Sequence, residues 1–233
     1  MMLEQEYLFD TNPSTTLAQH TTKTFLWMFI GLLVTAAVAF VMAITGTMLT
    51  LLIKVPFLSI VLMIAQIGVA VAFGARLMKM KPITAIILYL TYAVLLGITF
   101  SSLMYVYELG AIFLSFGLTA LYFGCLAIIG YTTTIDLTKL GTILGVGLLI
   151  FVVAEIILMI MGVDITTKVF TAIGMLLFTG LTAYDVQKMK KLYLSNVHDE
   201  VALRKLSIYS AFDLYLDFIN IFLYILRLVG SRD

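Results

Sequence analysis

The sequence predicts an all-α integral membrane protein with seven transmembrane helices, the last of them central in the bundle. Of its 233 residues, 62% are hydrophobic and only 12% are charged, and the mean hydropathy is +1.12. Soluble domains are about half apolar and about a quarter charged. Apolar runs of about 20 residues, long enough to cross a bilayer, recur along the chain. The last run carries a polar stripe that must face inward, because lipid offers no partner to a carboxylate.

Seven apolar runs define the predicted crossings. They leave residues 1–22 as a tail and residues 23–233 as one transmembrane domain. The boundary at Thr47–Val55 is the least defined, since this segment can extend either neighbour or lie in the interface. The predicted spans are Phe25–Ile44, Phe57–Ala75, Ile83–Val106, Ala111–Tyr131, Thr142–Met161, Val169–Val186 and Ser207–Leu228.

Lysine and arginine placement predicts the orientation in the cell membrane, because cytoplasmic loops carry an excess of both. One side holds ten of the fourteen basic residues. These ten are Lys23, Arg76, Lys79, Lys81, Lys139, Lys188, Lys190, Lys191, Arg204 and Lys205. The N-terminus is therefore expected in the cytoplasm and the C-terminus outside. The one long loop, Gln187–Leu206, is expected at the inner mouth as a solvated loop, helix or hairpin.

The polar stripe of the last span is the main functional signal. Its residues follow one another at steps of three and four, which places them on one helix face. They are Ser210, Asp213, Asp217, Asn220, Tyr224 and Arg227. Two carboxylates and an amide on one face of a spanning helix must look toward other helices or water.

Other charged residues fall where they could meet this stripe. Asp185 lies near the inner end of the sixth predicted span, and Arg76 ends the second. Topology places both in the inner half of the membrane, where Arg76 is the expected counter-charge to the carboxylates because its fork can serve two of them. Glu155 stands alone within the fifth span, and a charge at that depth is a functional candidate. It could line an ion path with Gln66 or hold helices together as a protonated acid.

The net charge, the motifs and the positions of the histidines exclude several functions. The net charge of +1 argues against a nucleic-acid partner. The chain has no nucleotide-binding loop, so a passive route fits better than a pump. A serine protease is excluded because His20 and His198 lie outside the predicted spans. No tightly bound cofactor is expected, and the protein partners are not predicted.

Four segments resemble the transmembrane BAX inhibitor motif family, most closely its prokaryotic branch. IGMLLFTGLTAYDVQKMKK at residues 173–191 looks like the family signature, and LYLDFINIFLYILRLVG at residues 214–230 looks like its last helix. VAFGARLMKMKPITA at residues 71–85 and YAVLLGITFS at residues 92–101 also fit. The resemblance covers nearly the whole chain from the first span onward.

The resemblance implies six helices around the last one, and a pH-sensitive calcium leak across the membrane. By motif, Asp185 and Asp217 would be the pH-sensing pair and a candidate calcium site, with Arg76 as partner. Asp213 departs from the family pattern, which often has a small or amide residue there, and adds a third carboxylate. Asn220 and Glu155 are auxiliary candidates, although no family role carries over to Glu155. Ca²⁺ and protons are the expected partners besides the lipid bilayer.

Two other functions remain open at this stage. An intramembrane aspartyl protease also needs two carboxylates on neighbouring helices, but the second motif, Leu214–Asp217, lacks the glycines of that class and no Pro-Ala-Leu follows. A regulator that binds other membrane proteins without transporting ions is the other alternative. The prediction is a channel and not an enzyme.

Overall fold

The computed structural model describes residues 15–55, 57–162 and 168–230, and this part of the chain is helical, with no β-strand. A short 3₁₀ turn at Leu77–Lys79 follows the third helix. The all-α class is therefore confirmed. The helices are α1 (Leu17–Ile44), α2 (Thr47–Lys54), α3 (Leu58–Arg76), α4 (Pro82–Phe100), α5 (Leu103–Val106), α6 (Leu109–Thr132), α7 (Thr138–Ile160), α8 (Lys168–Ser195) and α9 (Glu200–Val229).

Six segments within the described ranges are long and apolar enough to cross a membrane. They are α1, α3, the continuous pair α4 and α5, α6, α7 and α8, and they match the first six predicted spans. The seventh predicted span lies within α9, which is helical throughout but is not among these six segments. The chain is thus a multi-pass membrane protein, and the seventh crossing stays a prediction.

α9 lies in the interior of the bundle. Nineteen of its 30 residues are buried, against two of the 19 residues of the outer helix α3. α9 packs mainly against four long helices, α1, α4, α6 and α8. α3 packs on α4, and α7 packs on α8, so these two form an outer layer. The inner shell around α9 therefore has four main members, where the family resemblance implied six.

Hydrogen bonds join α1 to both α9 and α4. The Thr35 hydroxyl of α1 donates to the carbonyl oxygen of Ala93 at 3.0 Å and lies 2.7 Å from the Tyr215 hydroxyl of α9. Because Thr35 has one proton to give, Tyr215 must be the donor of the second bond. The Tyr89 hydroxyl of α4 donates to the carbonyl oxygen of Trp27 at 2.9 Å. These bonds fix the rotation of α9, and with it the direction of its polar stripe.

Two predicted boundaries are corrected toward longer helices. The long loop expected at Gln187–Leu206 is only residues 196–199, because α8 runs on to Ser195 and α9 begins at Glu200. Asp199 caps α9 by accepting a hydrogen bond from the amide of Ala202 at 2.8 Å. α1 begins at Leu17, so the helix takes in the end of the predicted tail at residues 17–22; residues 1–14 of that tail lie outside the described residues.

Candidate functional site

Three aspartates and one lysine meet where α8 packs against α9. We call Asp185, Lys188, Asp213 and Asp217 the carboxylate cluster. Lys188 Nζ lies 2.8 Å from Asp213 Oδ2 on α9 and 3.6 Å from Asp185 Oδ1 on its own helix. The three side chains are only 27%, 17% and 13% exposed, respectively. Lys188 therefore forms a charged link between the two helices in a largely dehydrated setting.

Tyr209 completes the environment of the lysine. The Lys188 ammonium donates to the Tyr209 hydroxyl at 3.2 Å and lies 4.8 Å from the centre of the Tyr209 ring. A cation near an aromatic face gains a further electrostatic attraction. The ammonium thus has an anionic, a hydroxyl and an aromatic partner, which explains how a lysine is accommodated at a helix contact.

Asp217 is the least satisfied member of the cluster. It is 4% exposed, and its Oδ2 atom has no hydrogen-bond partner within the described part of the chain. The Thr182 hydroxyl contacts its carboxyl group but also lies 2.7 Å from the carbonyl oxygen of Phe178. One hydroxyl proton cannot serve both acceptors. A buried polar atom left in this state is costly and marks a functional candidate.

The cluster carries more negative than positive groups. Asp185 and Asp213 both act electrostatically on the Asp217 carboxyl group, and Lys188 is the ammonium that offsets them. Three carboxyl groups facing one ammonium leave an excess of negative charge when all are ionised. Uptake of protons or of another cation would bring the cluster nearer to neutrality, which a low-dielectric setting favours.

The structure contradicts the pairing of Arg76 with the carboxylates. Arg76 is exposed at the end of α3, and its guanidinium forms no ion pair with a carboxylate of the described residues. α3 packs mainly on α4, whereas the carboxylates lie between α8 and α9. The end of α3 does reach α9 through the buried Phe73, which stacks on Tyr209, but the Arg76 side chain lies on the exposed side of the helix. Lys188 takes the position at the carboxylates that the sequence had assigned to Arg76.

Sequence reasoning missed Lys188 because it assigned residues 187–206 to a solvated loop. Once α8 is extended to Ser195, Asp185 and Lys188 stand three residues apart on one helix face. Oppositely charged residues at that spacing are neighbours on a helix. The spacing of Asp185 and Lys188 is visible in the sequence, but a run of basic residues after an apolar span usually indicates a loop. Thr182 and Tyr209 were missed as well, since neither hydroxyl is distinctive in sequence.

The auxiliary candidates do not join the cluster. Asn220 donates to the carbonyl oxygen of Leu216, on its own helix, at 2.7 Å. Glu155 does not stand alone, because its Oε1 lies 3.9 Å from Arg227 Nη1. Neither of these two atoms has a hydrogen-bond partner among the described residues, so the pair is loosely held.

The suggested path from Glu155 to Gln66 is also not found. Gln66 Nε2 donates to the Thr99 hydroxyl at 2.8 Å, which ties the outer helix α3 to α4, whereas Glu155 lies on the other outer helix, α7. Glu155 instead stands with Arg227, at the far end of the polar stripe from Asp213. The stripe of α9 therefore meets charged side chains at two separate levels.

A ready-made metal position is absent from residues 15–55, 57–162 and 168–230. No group of three or more His, Cys, Asp or Glu side chains there is arranged to hold a metal ion. Asp185 and Asp217, the candidate calcium ligands, face an ammonium group instead. Carboxylate oxygens suit Ca²⁺, but these could converge on a cation only if Lys188 moved away.

A second set of contacts holds α8 against the loop between α6 and α7. The Gln187 side chain accepts from the amide of Leu137 at 2.8 Å and donates to the carbonyl oxygen of Ile135 at 2.7 Å. Lys191 pairs with the exposed Asp136, and this ammonium, together with the hydroxyl and amide of Thr138, holds the pKa of Asp136 well below its usual range. α8 is thus anchored directly beside the residues of the cluster.

Comparison with known proteins places the chain in a wider group. The model of the family described as "Inhibitor of apoptosis-promoting Bax1" matches residues 17–233. An inner membrane protein of Escherichia coli K12, YbhL, is 36% identical over 221 residues, which is 94% of each chain. An uncharacterized protein of Borreliella burgdorferi is 36% identical over 210 residues, 90% of each chain, and one of Deinococcus radiodurans is 36% identical over 211 residues, 91% of this chain and 90% of its own.

Proposed function

Since the chain belongs to the Bax inhibitor family named by its matching model, we propose that it is a pH-sensitive calcium leak channel gated by the carboxylate cluster. The observation that carries this proposal is a partly dehydrated group of three carboxyls and one ammonium between two helices of a multi-pass membrane protein. Such groups are expensive at membrane depth and occur mainly where protons or ions are handled.

The proposed gate is the link between α8 and α9. With the aspartates ionised, Lys188 holds Asp213 at 2.8 Å and keeps the two helices together. Protonation of Asp213 or Asp185 removes the anionic partner and weakens that hold. A proton can shift the balance between closed and open states only by binding one of them more tightly, and breaking the Lys188 link supplies that difference.

In this proposal calcium competes with Lys188 for the carboxylate oxygens of the cluster. Asp217 Oδ2 is an unpartnered oxygen, and Asp185 and Asp213 are close enough to interact with it electrostatically. Once Lys188 has moved, these oxygens could receive a hard cation in its place. Ca²⁺ is thus the transported ion in this proposal, and the carboxylates form a transient binding site along its path across the membrane. No chemical step is involved.

The topology of the proposal follows the basic residues. With the N-terminus in the cytoplasm and the C-terminus outside, the cluster lies in the cytoplasmic half of the protein. Arg76 then acts as an exposed residue at the inner interface, where its long side chain can reach the headgroups, and has no direct part in the gate.

The decisive experiment is calcium flux into liposomes that contain only the purified protein. The wild type should pass Ca²⁺ with a rate that depends on pH between about 6 and 8, since buried carboxyl groups that repel one another release their protons in that range. Asp217→Asn removes one titrating group with little change in volume and should flatten that dependence. Asp136→Asn makes the same chemical change at an exposed carboxylate outside the cluster and should leave the pH profile unchanged.

The outcomes separate the proposal from its alternatives. Absence of flux from the wild type under all conditions would favour a regulator that does not transport ions. Flux whose pH profile is the same in wild type and Asp217→Asn would remove the cluster from the gate while leaving the channel. Cleavage of a membrane peptide that Asp217→Asn abolishes would point to the aspartyl protease instead.

A further inference from the structure

A cavity lies where the first turns of α1 meet the first turns of α9, apart from the carboxylate cluster. Its volume is about 230 Å³, whereas a water molecule takes up about 30 Å³ of liquid. It is therefore large enough for a small polar ligand. The cavity is lined by Thr15, His20, Lys23, Glu200, Leu203, Arg204 and Ser207, and we call it the α1–α9 pocket.

One wall of the pocket carries a buried group without a partner. His20 is 1% exposed, and its Nε2 atom forms no hydrogen bond with any described residue. The imidazole stands 5.5 Å from the ring of Tyr193, measured between centroids, and Tyr193 in turn donates to the carbonyl oxygen of Thr15 at 2.8 Å. Buried ring nitrogens are normally satisfied, so this one calls for a ligand.

The charges around the pocket favour an anion. Lys23 and Arg204 both line it, and neither forms an ion pair with a described carboxylate. Glu200 is the single acidic side chain among the lining residues. The pocket also opens beside the first turns of α9, where the positive end of the helix dipole adds to the attraction for anions.

We propose that the α1–α9 pocket binds a phosphate group, with Lys23 and Arg204 as its charged contacts and His20 as a buried hydrogen-bond partner. An arginine can hold two phosphate oxygens at once, and a lysine adds a point charge. The phosphate can belong to the headgroup of an anionic lipid or to a soluble phosphate. This site is independent of calcium transport.

A ligand bound in the pocket would stabilise the contact between the first turns of α1 and the first turns of α9. Lys23 lies on α1, Arg204 lies on α9, and Tyr193 of α8 contacts the same junction through His20 and Thr15. A ligand that binds the folded state and not the unfolded one stabilises the folded state by RT ln(1 + c/Kd), which rises with the ligand concentration c. The melting temperature should therefore rise with ligand concentration.

The test uses the full-length protein in nanodiscs of phosphatidylcholine, a zwitterionic lipid. The melting temperature is followed as inorganic pyrophosphate is added at constant ionic strength, and the binding constant is taken from that titration. Lys23→Gln and Arg204→Gln should each weaken binding about 10-fold, which corresponds to the loss of one charge-assisted hydrogen bond. Both side chains are exposed, so the variants should fold. Lys139→Gln, at an exposed lysine outside the pocket, is the matched control.

A second arm identifies the source of the phosphate. Nanodiscs containing phosphatidylglycerol are prepared, and lipid that stays bound is measured by native mass spectrometry. Retention of phosphatidylglycerol by the wild type but not by Arg204→Gln assigns the pocket to a lipid headgroup, and pyrophosphate binding without lipid retention assigns it to a soluble phosphate. The proposal is overturned if the wild type binds neither, or if Lys23→Gln and Arg204→Gln bind as well as Lys139→Gln does.

Discussion

Replacing Lys188 by methionine tests whether this residue is the cation that holds the carboxylate cluster together. Methionine keeps much of the length of the side chain and removes the ammonium. Asp213 and Asp185 would then lose their ion pairs of 2.8 and 3.6 Å and stay in place as largely buried carboxyl groups. Breaking a fully buried pair costs about 3–5 kcal/mol. Residual exposure of 13–27% lets water screen the remaining charges, so about 2–3 kcal/mol is expected here.

This loss should be visible in thermal unfolding of the purified protein in detergent. For a chain of this size, a loss of 1 kcal/mol lowers the melting temperature by roughly 2–4 °C. Lys188→Met should therefore melt about 4–12 °C below the wild type. Lys188→Arg retains a cation with several donors and should lose much less. The leak rate of Lys188→Met should rise as well, because the link between α8 and α9 is missing.

Arg76→Met separates the two cations. Because Arg76 is exposed and forms no ion pair with a described carboxylate, its replacement should change the free energy of unfolding by less than about 0.5 kcal/mol. A melting temperature for Lys188→Met equal to that of the wild type, combined with a marked loss for Arg76→Met, would refute the assignment of Lys188 and restore the arginine expected from the sequence.

Two further predictions concern helix packing and the loop before α7. A Cβ atom added at Gly130 would stand 2.4 Å from the carbonyl oxygen of Ala183, whereas one added at Gly124 of the same helix would meet nothing within 4 Å. Gly130→Ala should therefore lower the free energy of unfolding by about 1–3 kcal/mol, as measured by chemical denaturation. Gly124→Ala is the control and should show no such loss. Lys191 lowers the pKa of Asp136 in the folded state, so this carboxylate contributes stability that is present above its unfolded pKa of about 4 and is lost as pH falls below it. The amide hydrogens of this loop should therefore exchange with solvent faster in Asp136→Asn than in the wild type at pH 7. At a pH low enough to protonate Asp136 in the folded state, the two proteins should exchange at the same rate, and a difference that persists there would count against the ion pair.

The helical class and the first six spans could be predicted because they depend on local composition. Apolar runs of about 20 residues have few alternatives to a membrane helix, and the six segments recovered by length and apolarity match the predicted ones. The inward direction of the α9 stripe was equally predictable, since Asp217 has no stable position in lipid. Its 4% exposure agrees with that reasoning.

The choice of counter-ion could not be predicted, because it depends on which helices are neighbours. The predicted topology places Arg76 at the cytoplasmic end of its span and Lys188 in the cytoplasmic loop that follows the sixth span, so the side of the membrane alone does not distinguish them. The packing of α3 on α4, and of α8 on α9, decides between the two. These arrangements depend on contacts such as that of Gln187 with Leu137, between residues 50 positions apart, which no local pattern reveals.

The polar stripe of α9 has a consequence for how the protein is made. At the centre of an inserting helix an aspartate disfavours entry by about 2.5–3.5 kcal/mol, while each Leu, Ile or Phe favours it by only about 0.3–0.6 kcal/mol. Asp213 and Asp217 together therefore oppose insertion by about 5–7 kcal/mol, and α9 is poorly suited to enter the bilayer alone. Its four main packing partners, α1, α4, α6 and α8, all precede it in the chain. When α9 leaves the ribosome, the helices that satisfy its polar groups have already been synthesised, and Lys188 is available to receive Asp213. The order of synthesis thus allows a long helix with two aspartates in its predicted span to reach the interior without first facing lipid.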